Sequence, residues 1–297
     1  MIKRANKMKE TPSSIAGKIF IYGSLIIFSI LIIVPFWMVI VKSFMSDKDI
    51  MNNPLSLWPE NFQFSGYETI FTNKMYDFGR AFLNSVYITL VGTVYQLAIT
   101  TLTAYALSKK HLRGKKIIML YFVFTMYFSG GTIPYYLVVN SLNLTGKLEV
   151  MYIPAFMGIF NMLVMRAYFI GLPQDLEEAA RIDGLGNFGI FIKIVLPLST
   201  AILATIALFI SVGLWNNWYT SMLFMLPHDK RPMAYALQVI IEHSRGSSGE
   251  NSAGVTTPIG QSIQYAGIVV SIVPIMCVYP FLQKHFTKGV LVGSVKG

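Results

Sequence analysis

Residues capable of acid–base or metal chemistry are present in this sequence, but their positions do not bring them together. Glu177 and Glu178 are adjacent, and Arg181 follows after two intervening residues. The four histidines fall in loops or at the ends of apolar stretches: His111, His228, His243 and His285. General-base or metal-assisted catalysis within an apolar region needs such groups at the same depth as the reacting bond. The sequence therefore predicts no catalytic residue and no metal site.

Nucleotide binding is not predicted for this chain either. It contains no G-x-x-x-x-G-K-[ST] loop, whose backbone and lysine would hold nucleotide phosphates. The single cysteine, Cys277, lies in an apolar stretch and is interpreted as a small packing residue. We expect no cofactor in this chain.

The composition indicates a membrane protein. Hydrophobic residues make up 54% of the 297 residues and charged residues only 13%, and the mean hydropathy is +0.55. The net charge of +10 would suit nucleic acid, but the lysines and arginines sit between apolar stretches rather than on an interleaved basic and aromatic surface. We expect a lipid bilayer as the surrounding medium and no nucleic-acid partner.

The apolar stretches predict an all-α membrane protein with six transmembrane helices in one domain, residues 19–297. The predicted spans are Ile19–Val41, Ala81–Leu107, Ile117–Val139, Val150–Ile170, Leu198–Leu223 and Ile263–Leu282. Ser129, Gly130 and Gly131, followed by Pro134, should break or kink the third span. Of the two long loops, 42–80 should contain short interfacial helices, and 227–261 ends in a Gly/Ser-rich run that we interpret as mobile.

The distribution of basic residues predicts the orientation. Most of the 24 lysines and arginines fall on one side when the N-terminal segment, residues 1–18, is cytoplasmic. The loop at 109–116 carries five of them, Lys109, Lys110, Arg113, Lys115 and Lys116. Six spans then place both termini in the cytoplasm and the loops 42–80 and 227–261 outside.

The spans contain almost no charged residues. Transporters driven by proton or sodium gradients usually bury carboxylates or cations at mid-membrane. Arg166 lies near the cytoplasmic end of its span, and its side chain can reach the interface. The energy source is therefore expected on another polypeptide.

The segment 172–197, between the fourth and fifth spans, predicts two helices joined by a turn. Asp175 could cap the first helix, with Glu178 three residues later as in a capping box. Glu177 and Arg181 have the spacing of an ion pair within a helix.

The rest of this elbow predicts a surface that another protein can approach. Ala179 and Ala180 leave a low surface on the first helix. Asp183 and Gly184 provide the turn, Asn187 could cap the second helix, and Pro197 marks the start of the fifth span.

This elbow resembles the signature of permease subunits in binding-protein-dependent ABC importers, E-A-A-x3-G-x9-I-x-L-P. The seven fixed positions are matched with the spacing intact by Glu178, Ala179, Ala180, Gly184, Ile194, Leu196 and Pro197. The chain is similar along nearly its whole length to the carbohydrate branch of that family, in particular to importers of oligosaccharides and polysaccharide fragments. The similarity includes Asn84-Ser85 in the second span, Trp215-Asn216 in the fifth and the C-terminal run from Lys288.

The resemblance implies a mechanism and a set of partners. The elbow would be a coupling helix seated in a groove of an ATPase subunit, with the residues Glu177, Glu178, Ala179, Ala180, Asp183, Gly184, Leu196 and Pro197. Two ATP-binding cassette subunits would bind ATP and Mg and hydrolyse ATP. A second permease subunit and an extracytoplasmic solute-binding protein would complete the complex in the cell membrane.

The resemblance also implies a carbohydrate pathway, for which the sequence offers a few polar and aromatic candidates. Trp215 and Trp218 share a helix face, and flat aromatic rings suit the apolar faces of sugars, while Asn216 could supply hydrogen bonds. An alternative interpretation places both tryptophans in an aromatic belt at the membrane interface. Asn84 could face either the cavity or the second permease.

Two other classes of protein remain as alternatives. A gradient-driven transporter would need the intramembrane charges that the spans lack. An intramembrane prenyl-protein protease is similar at Glu177-Glu178 and at Phe281-x-x-x-His285, but that family has three residues before its arginine where this chain has two. The third, histidine-containing motif of that family is also missing from the sequence.

The orientation can be tested by labelling single cysteines in a Cys277→Ser background. A membrane-impermeant thiol reagent should label Ser248→Cys in intact cells, because the 227–261 loop is predicted outside. Ser108→Cys, at the predicted cytoplasmic end of the second span, should be labelled only after permeabilisation. The reverse pattern would contradict the orientation.

Overall fold

The computed structural model describes residues 12–73, 77–224, 226–246 and 260–294. Within those ranges the protein is all-helical and contains no strand. Residues 1–11 of the N-terminal segment, the Gly/Ser-rich run predicted as mobile and the last three residues lie outside the described part of the chain.

Fourteen α-helical segments are described. They are α1 (Pro12–Ser43), α2 (Asp47–Asn52), α3 (Ser65–Thr72), α4 (Phe78–Ser108), α5 (Lys115–Tyr127), α6 (Thr132–Ser141), α7 (Ile159–Ile170), α8 (Gln174–Ile182), α9 (Asn187–Ile190), α10 (Leu196–Leu198), α11 (Thr200–Trp215), α12 (Tyr219–Leu223), α13 (Met233–Gly246) and α14 (Gln261–Ser294). One π-helical turn, Phe191–Val195, joins α9 to α10, and 3-10 turns lie at Leu148–Met151 and His228–Lys230.

The helix α4 is the centre of the bundle. It packs against α7 and α11, and the largest buried apolar cluster is built around these three helices. A Cβ atom on Gly92 would lie 2.7 Å from Leu214 Cδ1 and 2.9 Å from Tyr152 Cβ. Only glycine therefore allows α4 to come this close to its neighbours.

The chain bends sharply within the third predicted span and at the start of the fifth. α5 and α6 meet at 116° where the sequence predicted a break, and Gly131 has a φ of +85° there. Pro134 lies in the first turn of α6, where a missing backbone N–H costs little. The segment Asn187–Leu198 meets α11 at 82° next to Ser199, close to the predicted start of the fifth span.

The predicted fourth span, Val150–Ile170, is wrong in its first half. Helix α7 begins only at Ile159. Pro154 lacks a backbone N–H and disfavours helix at the residue before it. Residues 150–152 are instead buried against the core as a short turn and the residue after it.

The predicted six spans can be compared with the number of helices that are long and apolar enough to cross a bilayer. By length and apolar composition, α1 and α4 can each cross a bilayer, and each bent pair can form one further span, which gives up to four among the described residues. Helix α7 and the Gln261–Cys277 part of α14 are apolar but shorter. The six-span topology therefore stays a prediction.

The first and last long helices pack together at one end of the bundle. The large apolar side chains of α1 from Ile19 to Ile33 are exposed, and α14 is the main packing partner of this helix. Asp47, at the start of α2, accepts a hydrogen bond at 2.8 Å from the backbone N–H of Ser262. This carboxylate thus caps the first turn of α14 from a distant part of the chain.

The two long loops contain helices. The short helices α2 and α3 lie in the 42–80 segment, where short helices were predicted. The 14-residue helix α13 lies in the 227–261 segment and was missed, although its buried residues Met233, Ala236 and Ile240 follow helical spacing.

Candidate functional site

The elbow is a short helix followed by a fixed turn. α8 ends at Ile182, and Gly184 follows with a φ of +82°. The backbone N–H of Leu185 donates to the carbonyl of Ala180, and that of Gly184 donates to the carbonyl of Arg181, both at 3.0 Å. This is the Schellman pattern of helix termination, which places a residue with positive φ just beyond the helix. The predicted turn at Asp183–Gly184 is present, and its geometry requires glycine.

Both predicted helix caps in the elbow are wrong. α8 begins at Gln174 after Pro173, and Asp175 is its second residue, with no capping hydrogen bond. In the first turn, the Asp175 carboxylate can still interact favourably with the helix dipole. Asn187 is the first residue of α9, and Gly186 occupies the capping position.

The first elbow helix has one buried and one exposed face. Ala180 is 3% exposed and packs into the main core, so the prediction of a low outward surface holds for Ala179 and not for Ala180. Leu176 and Ile182 lie on the exposed face together with Ala179, and Ile182 is 87% exposed. Glu178, Asp183 and Gly184 are exposed as well.

Two consecutive lysines just after α4 bind side chains of α8. The Lys109 ammonium forms an ion pair with the Glu177 carboxylate and lies 3.9 Å from the centre of the Tyr105 ring. The Lys110 ammonium donates to the Gln174 side-chain oxygen at 3.2 Å. Glu177 therefore binds another element of the fold rather than Arg181, its predicted partner. A cleft of about 560 Å³ lies between the end of α4 and α8.

The C-terminus of α4 is held in turn by two cationic side chains. Lys115 donates to the carbonyls of Ser108 and Lys109, at 3.4 and 3.1 Å, and Arg166 Nε donates to the carbonyl of Leu107 at 3.0 Å. These are carbonyls that a helix end leaves without partners. The sequence placed Lys115 and Arg166 on the predicted cytoplasmic side, but it did not reveal these contacts, because they depend on tertiary structure.

Leu196 and Pro197 lie beyond the π-helical turn. Leu196 is half-buried against the main core, and Pro197 is exposed in the helix that precedes the bend at Ser199. They thus connect the elbow to α11 rather than adding to the surface of α8.

A second group of predicted residues meets at the other end of α11. Trp215, Asn216 and Trp218 line a pocket of about 230 Å³ together with Gln238 of α13 and Ser271 of α14. Trp215 Nε1 donates to the backbone carbonyl of Ser271 at 3.3 Å. The remaining lining residues are Ala234, Leu237, Ile241, Ile268, Ile272 and Ile275.

Asn84 does not line this pocket. Its amide nitrogen donates to the backbone carbonyls of Asp229 and Arg231, at 2.9 and 3.1 Å. The neighbouring Ser85 hydroxyl is buried and accepts a 2.8 Å hydrogen bond from the backbone N–H of Met233. These bonds attach the segment before α13 to the start of α4.

Comparison with known proteins identifies the family. The family model described as "Binding-protein-dependent transport system inner membrane component" matches residues 99–292. The chain belongs to this family. It is a multi-pass membrane protein and a permease subunit of an ABC importer. This family assignment does not favour the gradient-driven transporter or the protease.

Individual relatives agree with this assignment over more than nine-tenths of the chain. The "Polygalacturonan/rhamnogalacturonan transport system permease protein YtcP" of Bacillus subtilis is 40% identical, over 93% of this chain and 97% of that relative. The "Arabinooligosaccharides transport system permease protein AraQ" of Halalkalibacterium halodurans is 28% identical over 98% of this chain and 100% of that relative. Among solved structures, a chain of a bacterial ABC transporter involved in the import of the acidic polysaccharide alginate matches with a TM-score of 0.82 and 28% identity, over 94% of this chain and 100% of that chain.

The glycine at the elbow can be tested with a matched pair of substitutions. Gly184 and Gly186 both leave open space for a Cβ, but only Gly184 has positive φ. Gly184→Ala should destabilise the turn by about 1–2 kcal/mol, because an L side chain is strained there. Amide exchange at 180–185 should accelerate in Gly184→Ala and stay unchanged in the control Gly186→Ala. Equal exchange in the two variants would contradict the Schellman assignment.

Proposed function

We propose that this permease subunit imports carbohydrate, in particular oligosaccharides, as part of an ATP-driven complex. The named relatives that transport polygalacturonan or rhamnogalacturonan and arabinooligosaccharides support a sugar oligomer as substrate, as does the alginate importer. A second permease subunit would form the pathway with this chain. An extracytoplasmic solute-binding protein would deliver the sugar.

The exposed face of α8 is the observation that carries the ATPase part of the proposal. Leu176, Ala179 and Ile182 recur every three residues and are exposed, although two of them are large and apolar. An apolar stripe on a short helix fits a groove in a partner protein. The Gly184 turn fixes how α8 joins the rest of the elbow. A movement of the partner would therefore be transmitted through α8 to the rest of the permease.

In this proposal the stripe contacts one of two separate ATPase subunits, which bind ATP and Mg and carry out hydrolysis. This chain supplies Glu178, Ala179, Asp183 and Gly184 to the contact, since these residues are exposed. Glu177 and Ala180 face inward and position the helix instead.

We further propose the six-span topology with both termini cytoplasmic: the N-terminal segment 1–18 and elbow 172–197 inside, and the loops 42–80 and 227–261 outside. Two sets of contacts support it. Lys109 and Lys110, from the predicted cytoplasmic loop, bind Glu177 and Gln174 of the elbow. At the other end, segments predicted outside contact one another or span ends, as Asp47 does at the start of α14.

The exposed surface of the first span supports the proposal that a second permease subunit is present. Large apolar side chains of α1 are exposed on every side between Ile19 and Ile33. Lipid and a second membrane subunit can together cover such a helix. The main packing partner of α1 is α14, so the exposed apolar side chains of α1 remain open to both.

We place the substrate pathway at the pocket of Trp215, Asn216 and Trp218. Indole rings stack on the apolar faces of sugars, and the side-chain oxygens of Asn216 and Gln238 can accept hydrogen bonds from sugar hydroxyls. Asn84 is assigned a structural role, because its amide nitrogen binds the backbone of the external loop.

The ATPase contact can be tested with Ala179→Trp. The large side chain should prevent α8 from seating in its groove without disturbing the core, since Ala179 is exposed. The ATPase subunits should be lost from the purified complex, and sugar uptake should fall at least ten-fold. Ala179→Ser, which stays small, is the control. Normal uptake with the ATPase bound to Ala179→Trp would refute the proposed contact.

The sugar pathway can be tested with Asn216→Ala and Trp218→Ala. Loss of one stacking or polar contact should raise the KM for uptake about 2- to 10-fold, as expected for about 0.5–1.5 kcal/mol. Trp58→Ala, in the 42–80 segment and outside the pocket, serves as control. Uptake kinetics that stay at wild-type values in both pocket variants would favour the aromatic-belt interpretation.

A further inference from the structure

The helix α4 joins the elbow to the external loop without interruption. It runs from Phe78 to Ser108 as one 31-residue α-helix, about 46 Å long at 1.5 Å per residue. The third predicted span, by contrast, bends by 116°, and a bend of 82° separates the elbow from α11 at the start of the fifth. A helix without a break can pass a displacement along its length, whereas a bent segment can absorb displacement at its break.

The inner end of α4 is attached to α8 by a shielded ion pair. The Lys109 and Glu177 side chains are only 27% and 19% exposed, so solvent and salt screen this pair less than a surface pair. The Tyr105 ring beneath the Lys109 ammonium adds a cation–π contact. The bond between Lys110 and Gln174 lies one helical turn away on the same face of α8.

This end of α4 cannot fray easily. Lys115 and Arg166 occupy the carbonyls of Leu107, Ser108 and Lys109, which would otherwise be free to lose helical geometry. A displacement of α8 is therefore applied to an ordered helix end.

The outer end of α4 is attached to the first residue of α13 and to the segment before it. Asn84 and Ser85 bind three backbone groups there, in Asp229, Arg231 and Met233. Bonds to backbone groups fix the path of the chain independently of the side chains that the loop carries. Met233 begins α13, so the position of that helix follows the position of α4.

We propose that α4 is a connecting rod between the ATPase contact and the external loop 227–246, with Lys109 and Asn84 as positioning residues at its two ends. This inference rests on the proposed function of α8. Movement of α8 on ATPase closure shifts α4 as a rigid body, and α4 carries the start of α13 with it. Because coupling free energies are reciprocal, a receptor that binds the external loop in one state also biases the ATPase.

The test uses the complete importer in liposomes, with its ATPase, second permease and sugar-loaded receptor at saturation. The quantity measured is the ratio of receptor-stimulated to basal ATP hydrolysis. Lys109→Met removes the charge at similar length, and Asn84→Leu removes the amide at similar size. Each should lower the ratio at least three-fold. Lys116→Met and Asn61→Leu change exposed residues of the same types and should keep the wild-type ratio.

The combination of variants separates a rod from two unrelated contacts. Since the two ends act in series, Lys109→Met with Asn84→Leu should lower the ratio no further than the stronger single variant. The exchange of Lys109→Glu with Glu177→Lys should restore at least half of the wild-type ratio. If Asn84→Leu prevents assembly, Ser85→Ala tests the same end by removing one acceptor.

The outcomes also distinguish a failure of this role of α4 from a failure of the proposed import function. A wild-type complex without receptor stimulation would refute the proposed function. If the wild type is stimulated, two results would refute the proposed role of α4 while leaving the proposed function intact. One is an unchanged ratio in Lys109→Met and in the outer-end variant. The other is a double variant in which the two losses multiply. A raised KM for sugar in Asn84→Leu with an unchanged ratio would return Asn84 to the substrate pathway and also refute the rod.

Discussion

The close packing of α4 against α7 and α11 is the interaction on which the rest of this structure depends. Within a bilayer, backbone groups find no water, so each must be satisfied inside the protein. α4 meets this demand as one long helix, and the contact at Gly92 brings its neighbours against it. With that surface in place, the chain around it can bend near Gly131 and Ser199 and run irregularly before α7.

Polar side chains are used at the ends of this packed unit. At one end, Asn84 and Ser85 bind backbone groups. At the other end, Lys109 binds the Glu177 carboxylate, and Lys115 and Arg166 bind backbone carbonyls. Charged and amide groups are costly within an apolar core but can bind at its margins, where part of their surface keeps contact with water. The elbow is therefore anchored where the core ends.

The sequence predicted several local features correctly, missed others, and revealed little of the tertiary contacts. The all-helical class, the break before α6 and the Gly184 turn follow from residue type and spacing along the chain. The caps at Asp175 and Asn187 and the Glu177–Arg181 pair were wrong, because Pro173 and Gly186 take the capping positions and Lys109 reaches Glu177 from another helix. The burial of Ala180 and the bonds of Asn84 depend on segments far away in the chain, which spacing alone does not reveal. The predicted ATPase and sugar contacts stay predictions.

The bond between Asp47 and the start of α14 has a consequence for biosynthesis. The two partners are separated by 215 positions, so Asp47 leaves the ribosome long before Ser262 exists. The first span must accordingly settle in the bilayer on its own apolar character, and α1, with its exposed apolar side chains, is suited to do so. Helix α14, the main packing partner of α1 in the complete protein, is the last of the described helices to be synthesised. A chain truncated before α14 would leave the Asp47 carboxylate without this partner, so the contact between the first and last long helices forms only once synthesis is nearly complete.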